Sequence, residues 1–190
     1  MRFSYYQRLT PRQKRIYDES DAIGEIPLHR PEPHRERVEA LERALASGSV
    51  SATELAAQAL MDGLTVAFGV AALRVGVAER RPSWQTGELH GLYQADEKGR
   101  FQVSLWMRTA QRAQVVKFKT FLRTFLHELC HHLDYQRLRL ADSFHTEGFY
   151  RRESSLLRQL HRDSGPEERT KAEKAGRARP TRLRRPSTSV

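Results

Sequence analysis

A strongly amphipathic stretch, Val115 to Gln136, most limits what this chain can become. Val115, Phe118, Leu122, Phe125 or Leu126, Leu129 and Leu133 recur at the three- and four-residue spacing of one helical face. A helix with such a stripe needs other elements to cover it, and the flanking sequence supplies them. Val38, Leu41 and Leu45 predict a helix ending near Ser47-Gly48. Ser51, with Glu54 three residues on, reads as a capping box opening a second helix through Leu55, Ala59, Leu60, Leu64 and Phe68. Leu73, Val75 and Val77 alternate with Arg74, Gly76 and Ala78, the period of a strand. Leu89 to Gln94 and Phe101 to Met107 are two further strand candidates, joined by a polar, Gly-containing link that suits a hairpin. A last helix is expected over Glu147 to Leu160, with Phe149, Leu156, Leu157 and Leu160 apolar. The expected fold class is α+β: a small antiparallel sheet of about three strands packed against the Val115 helix and further helices.

This body covers about residues 34–161. Residues 1–33 read as a polar arm with one short helix, capped by Thr10, with Pro11 at its first position, and running to about Ser20. Phe3, Tyr5, Tyr6, Leu9, Ile16 and Tyr17 give the arm side chains able to dock on the body, and Pro27, Pro31 and Pro33 predict an extended linker. Residues 162–190 hold nine basic residues against four acidic ones, a surplus of five in a chain whose net charge is +10. With almost no large apolar side chains, this segment reads as a disordered basic tail. Its two readings are a solubilising tail and non-specific contact with nucleic acid.

The 190 residues suit one ordinary domain plus tails. The longest apolar run, Leu64 to Leu73, is too short to span a bilayer, and the N-terminus has no apolar leader core. The expectation is a cytoplasmic protein with no membrane partner. The single cysteine, Cys130, excludes an internal disulfide and a four-cysteine zinc ribbon.

The amphipathic helix also carries His127-Glu128-Leu129-Cys130-His131, an H-E-x-x-H motif. Residues i and i+4 stand one above the other on one helical face, about 6 Å apart along the axis. Two imidazoles there can bind one Zn2+ at about 2.0–2.1 Å each. Glu128 is rotated by about 100° from His127, beside the metal, where it can hold a metal-bound water and take its proton. Thr120 and Thr124 share the histidine face and are small and polar, leaving room for a metal and a substrate. His145 follows after a polar link, at the start of the last helix, as a candidate third ligand. Three protein ligands plus one water is the arrangement of a catalytic zinc site.

The motif, followed by His145-Thr146-Glu147-Gly148-Phe149, resembles the SprT-like metallopeptidases and the wider minimal gluzincin-type zincins. The resemblance covers about residues 73–160. It implies a zincin-like fold, with a strand hairpin ahead of the active-site helix. It also implies His127, His131 and His145 as zinc ligands, and Glu128 as the catalytic base. The zinc ribbon of many family members is absent.

Other residues compete for these roles. Glu147 is the alternative third ligand. His132, about 100° round the helix from His131, reads as a partly exposed surface histidine. Asp134 reads either as an acceptor for a ligand imidazole N–H or as a solvated partner of Arg137. Cys130 reads as core, and His90 as a surface cross-strand residue. Tyr150 and Arg151 both remain candidates to stabilise an oxyanion.

The expected function is a zinc-dependent metallopeptidase acting on a protein or peptide through a metal-activated water, with Glu128 as general base. The strand Phe101 to Met107 is expected at the sheet edge, where an extended substrate could add by strand pairing. The alternative is a catalytically idle, zinc-stabilised module that binds nucleic acid through the basic tail. A domain without metal is a third reading.

Overall fold

The computed structural model describes residues 2–84, 87–95 and 100–161. The basic tail expected over 162–190 lies outside the described residues. The elements run from a short 3-10 turn (Ser4–Arg8) to α1 (Pro11–Ala22), α2 (Glu32–Ala46) and α3 (Val50–Phe68). Strands β1 (Leu73–Arg80), β2 (Ser83–Trp84), β3 (Gly87–Glu88), β4 (Gly91–Ala95) and β5 (Phe101–Arg108) follow, then α4 (Phe118–Gln136) and α5 (Glu147–Leu160). The class is α+β. No described helix is long and apolar enough to cross a membrane.

The sheet is mixed, where an antiparallel one was expected. Its order is β1-β5-β4, with β5 antiparallel to β4 but parallel to β1. The ten residues between β1 and β4, 81–90, include the small β2-β3 ribbon and are long enough to carry the chain past the slot that β5 then fills. As a result β5 is the central strand, and β4 is the edge next to α4. Leu73, Val75 and Val77 of β1 and Val103, Leu105 and Met107 of β5 point into one core with Leu41, Leu60, Leu64, Leu122, Phe125, Leu126, Leu129 and Leu156. Phe125 and Leu126 are both fully buried.

Helix ends follow their caps. Thr10 forms a full capping box with Gln13. α3 is capped by Ser49, whose side chain accepts from the Ala52 N–H, and not by Ser51. Glu54, expected in that box, instead accepts the Val77 N–H at 2.8 Å, and Gln58 accepts the Val75 N–H at 2.7 Å. Two α3 side chains thus satisfy the free edge of β1, which blunts it against further pairing. α4 starts three residues later than expected because Val115 pairs with Arg108 and the Val116 N–H bonds the Met107 carbonyl. Pro33 belongs to the first turn of α2, where a missing N–H costs no helical bond, so the linker ends sooner than its prolines predict.

The N-terminal segment packs tightly. Tyr17 is fully buried, and the last turn of α1 lies against the first turn of α5. Gly148 marks the contact: a Cβ there would stand 2.6 Å from the Ser20 carbonyl oxygen and 2.5 Å from that of Asp21. Gly148→Ala is expected to destabilise the chain by about 1–3 kcal/mol, because backbone cannot yield as a side chain can. A urea midpoint equal to that of the parent chain would refute the close packing.

Candidate metal centre

α4 sets His127 and His131 one turn apart, and the approach to α5 brings His145 across from them. The His145 Nε2 lies 3.0 Å from the His127 Nε2 and 3.1 Å from the His131 Nε2. One ligand atom from each residue falls within a 4.8 Å group, close enough to bind one metal ion. The Phe149 ring, fully buried, sits beneath all three imidazoles at centroid distances of 4.9, 4.9 and 5.1 Å.

The far sides of two rings are held by acceptors. The His127 Nδ1–H donates to Glu153 Oε2 at 3.0 Å, and Glu153, itself buried, is also paired with Arg123 at 3.3 Å. The His131 Nδ1–H donates to Ser143 Oγ at 2.8 Å, and the Ser143 hydroxyl donates to Asp134 Oδ2 at 2.8 Å. Asp134 Oδ1 accepts from Arg152 at 2.8 Å with both side chains fully buried. These bonds put the proton on Nδ1 and leave Nε2 with its lone pair. Burial, reinforced by His127 and His145, pushes the His131 pKa down to about 3, so the ring is neutral at ordinary pH. Burial and His127 also lower that of His145. Converging lone pairs repel unless a cation lies between them. Around a tetrahedral ion at about 2.0–2.1 Å, ligand nitrogens stand roughly 3.3–3.4 Å apart, a few tenths more than seen here. The donor set therefore fits a divalent metal.

Glu128 lines the same cleft, a cavity of about 330 Å³ between β4 and the His145 segment. Burial raises its pKa from 4.5 to about 7, against the lowering effects of His127 and the Tyr93 backbone N–H, which donates to it. Gly91 lets β4 approach, since a Cβ there would strike the Glu128 carboxylate and the Thr124 methyl. A larger cavity of about 460 Å³, near Ala71 and Phe101, contains none of these groups.

Of the competing residues, Glu147 is not among the grouped metal-ligating atoms. His132 is fully buried rather than surface-exposed: its Nε2–H donates to the Ala71 carbonyl at 2.8 Å, and its Nδ1 accepts from the Tyr93 hydroxyl at 3.1 Å. Asp134 acts on His131 through Ser143, while Arg137 turns to the Phe68 carbonyl. Cys130 is buried in the core. His90 is exposed, just ahead of β4. The Tyr150 ring lies 5.9 Å from that of His145, whereas Arg151 reaches away to the Asp21 carbonyl.

Tyr93, Ser143, Arg152 and Glu153 went unnoticed in the sequence. Two carried a signal. Arg152 and Glu153 fall at +3 and +4 from Phe149 and at −4 and −3 from Leu156, inside the apolar stripe of α5. A charge in a buried stripe must have a partner there.

The raised Glu128 pKa makes a stability prediction for the metal-free chain. Its folded value exceeds its unfolded one, so the group's contribution is complete below pH 4.5 and is lost as pH rises to about 7. With a chelator present, Glu128→Gln should be more stable than the parent at pH 8, and this advantage should shrink at pH 5. Equal urea-midpoint differences at the two pH values would rule out the burial effect. No protein-family model matches the chain, and neither a curated protein nor a solved structure does.

Proposed function

We propose that this chain is a zinc-dependent metallopeptidase of the HExxH zincin type, SprT-like in its two motifs. The observation that carries the reading is the buried Glu128 carboxylate lining the same cleft as three converging imidazole nitrogens. Three imidazoles suit Zn2+, and a site serving only to stabilise the fold takes a fourth protein ligand, whereas the cluster among the described residues offers three. This favours hydrolysis over an idle zinc-stabilised module.

His127, His131 and His145 would hold the ion. Bound Zn2+ supplies Lewis acidity towards a peptide carbonyl and lowers the pKa of water towards about 7. Glu128, its carboxylate at the wall of the same cleft, is placed to accept a proton from water and return it to the leaving amine. Tyr150 is the better oxyanion donor, because Arg151 is engaged with Asp21. β4, rather than the expected β5, offers the free edge to an extended peptide. Pairing of this kind reads backbone, so cleavage should show little sequence preference.

Glu128→Gln should retain close to one equivalent of zinc while hydrolysis of an unfolded protein falls by about 10²–10⁴-fold. His145→Ala should lose both metal and activity, and Glu147→Gln neither. Undiminished hydrolysis in the Glu128 variant would remove the proposed base. Metal loss in the Glu147 variant would reassign the third ligand.

A further inference from the structure

The N-terminal segment touches the supports of two of the three candidate ligands. The Tyr5 hydroxyl donates to the His145 carbonyl oxygen at 2.9 Å, fixing the backbone that carries this ring. Asp21 Oδ1 accepts the Gly148 N–H at 2.8 Å in the first turn of α5, and the Ser20 and Thr146 hydroxyls lie 3.4 Å apart. These contacts hold His145, Thr146 and Gly148 against the N-terminal segment.

The second route runs through Arg152, which is fully buried on α5. Its guanidinium donates to the Ser20 carbonyl at 2.7 Å, to the Ser20 hydroxyl at 3.0 Å and to the Ile23 carbonyl. Its remaining acceptor is Asp134 Oδ1. Asp134 in turn holds Ser143, and Ser143 holds the His131 Nδ1–H. If the end of α1 left, Arg152 would keep a buried charge with only one of these acceptors, and the fork that orients Asp134 would lose its anchor.

We propose that the N-terminal segment is a working part of the metal site, with Tyr5 and Asp21 as positioning residues for His145 and the Ser20–Ile23 turn positioning His131 through Arg152. This rests on the metal reading above. Binding of a divalent cation and docking of the segment are then linked, and each strengthens the other by the same factor. A chain trimmed to the motif-bearing body would be a poor metal binder although every ligand is present.

The test uses the full chain, with Zn2+ and Co2+ as probes and affinity measured by competition with a chelator. Tyr5→Phe and Asp21→Ala should each bind about five- to tenfold more weakly than the parent. Asp21→Asn keeps an oxygen acceptor for the Gly148 N–H and should restore parental affinity. The visible bands of the Co2+ form should shift in Tyr5→Phe, which a merely structural role would not cause. Zn2+ should also slow tryptic cleavage after Lys14 and Arg15. If Asp21→Ala fails to fold, Tyr5→Phe, which removes a single partly exposed hydroxyl, carries the comparison. A parent that binds the cation, with variants of unchanged affinity and unchanged Co2+ bands, overturns the inference alone. A parent that binds neither cation overturns the metal reading and this inference together.

Discussion

Arg152 and Asp134 meet 2.8 Å apart with neither side chain exposed. Removing both charges from water costs several kcal/mol per ion, and an apolar pair of the same volume would often be as stable. What the pair supplies is geometry. A planar guanidinium with fixed donor directions cannot slide as two leucines can. Here its donors reach Ser20 and Ile23 at the end of α1 as well as Asp134 on α4, while the residue itself belongs to α5. The carbonyls at the α1 C-terminus carry the negative end of the helix dipole, which suits a cation. Three helices are thereby held in one arrangement, and His131 and His145 take their places from it.

The candidate metal centre concentrates unfavourable terms that a cation would relieve together. Three imidazoles turn their Nε2 atoms on one point, and Glu128 is buried at the cleft wall with its pKa raised. Without a cation both features cost stability, and neither improves packing. Strained or poorly solvated groups gathered in one cleft, while the surrounding core is well packed, are what a functional site requires of its fold.

Much of this was legible in the chain because local rules sufficed. The stripe of α4, the Thr10 cap and the bounds of α5 follow from periodicity and capping over a few residues. The H-E-x-x-H face follows from helix geometry alone. Pairing of β1 with β5 was not legible, since strand order depends on a connection whose path no local pattern encodes. His132 shows the same limit: its neighbours suggested a surface position, yet β4 and the Ala71 carbonyl close over it. The N-terminal segment was legible in part. Its aromatic side chains marked it as able to dock on the body, but no local pattern showed that its serine, aspartate and carbonyl oxygens face partners on α5 rather than water.

The place of β4 has a consequence for the proposed chemistry. The Tyr93 N–H on this edge strand already donates to Glu128. An extended peptide pairing with β4 along Tyr93 would compete with the carboxylate for that donor. Losing it removes one of the two interactions that hold the Glu128 pKa down, and expelling water from the cleft adds to the burial that pushes it up. Under the proposed function, both changes would make the carboxylate more basic as a peptide docks. A β5 edge, as the sequence suggested, would have separated the strand that pairs with substrate from the group that takes the proton. The short edge strand, with Gly91 allowing its close approach, makes them neighbours, so under the proposed function peptide docking and the base would share one N–H.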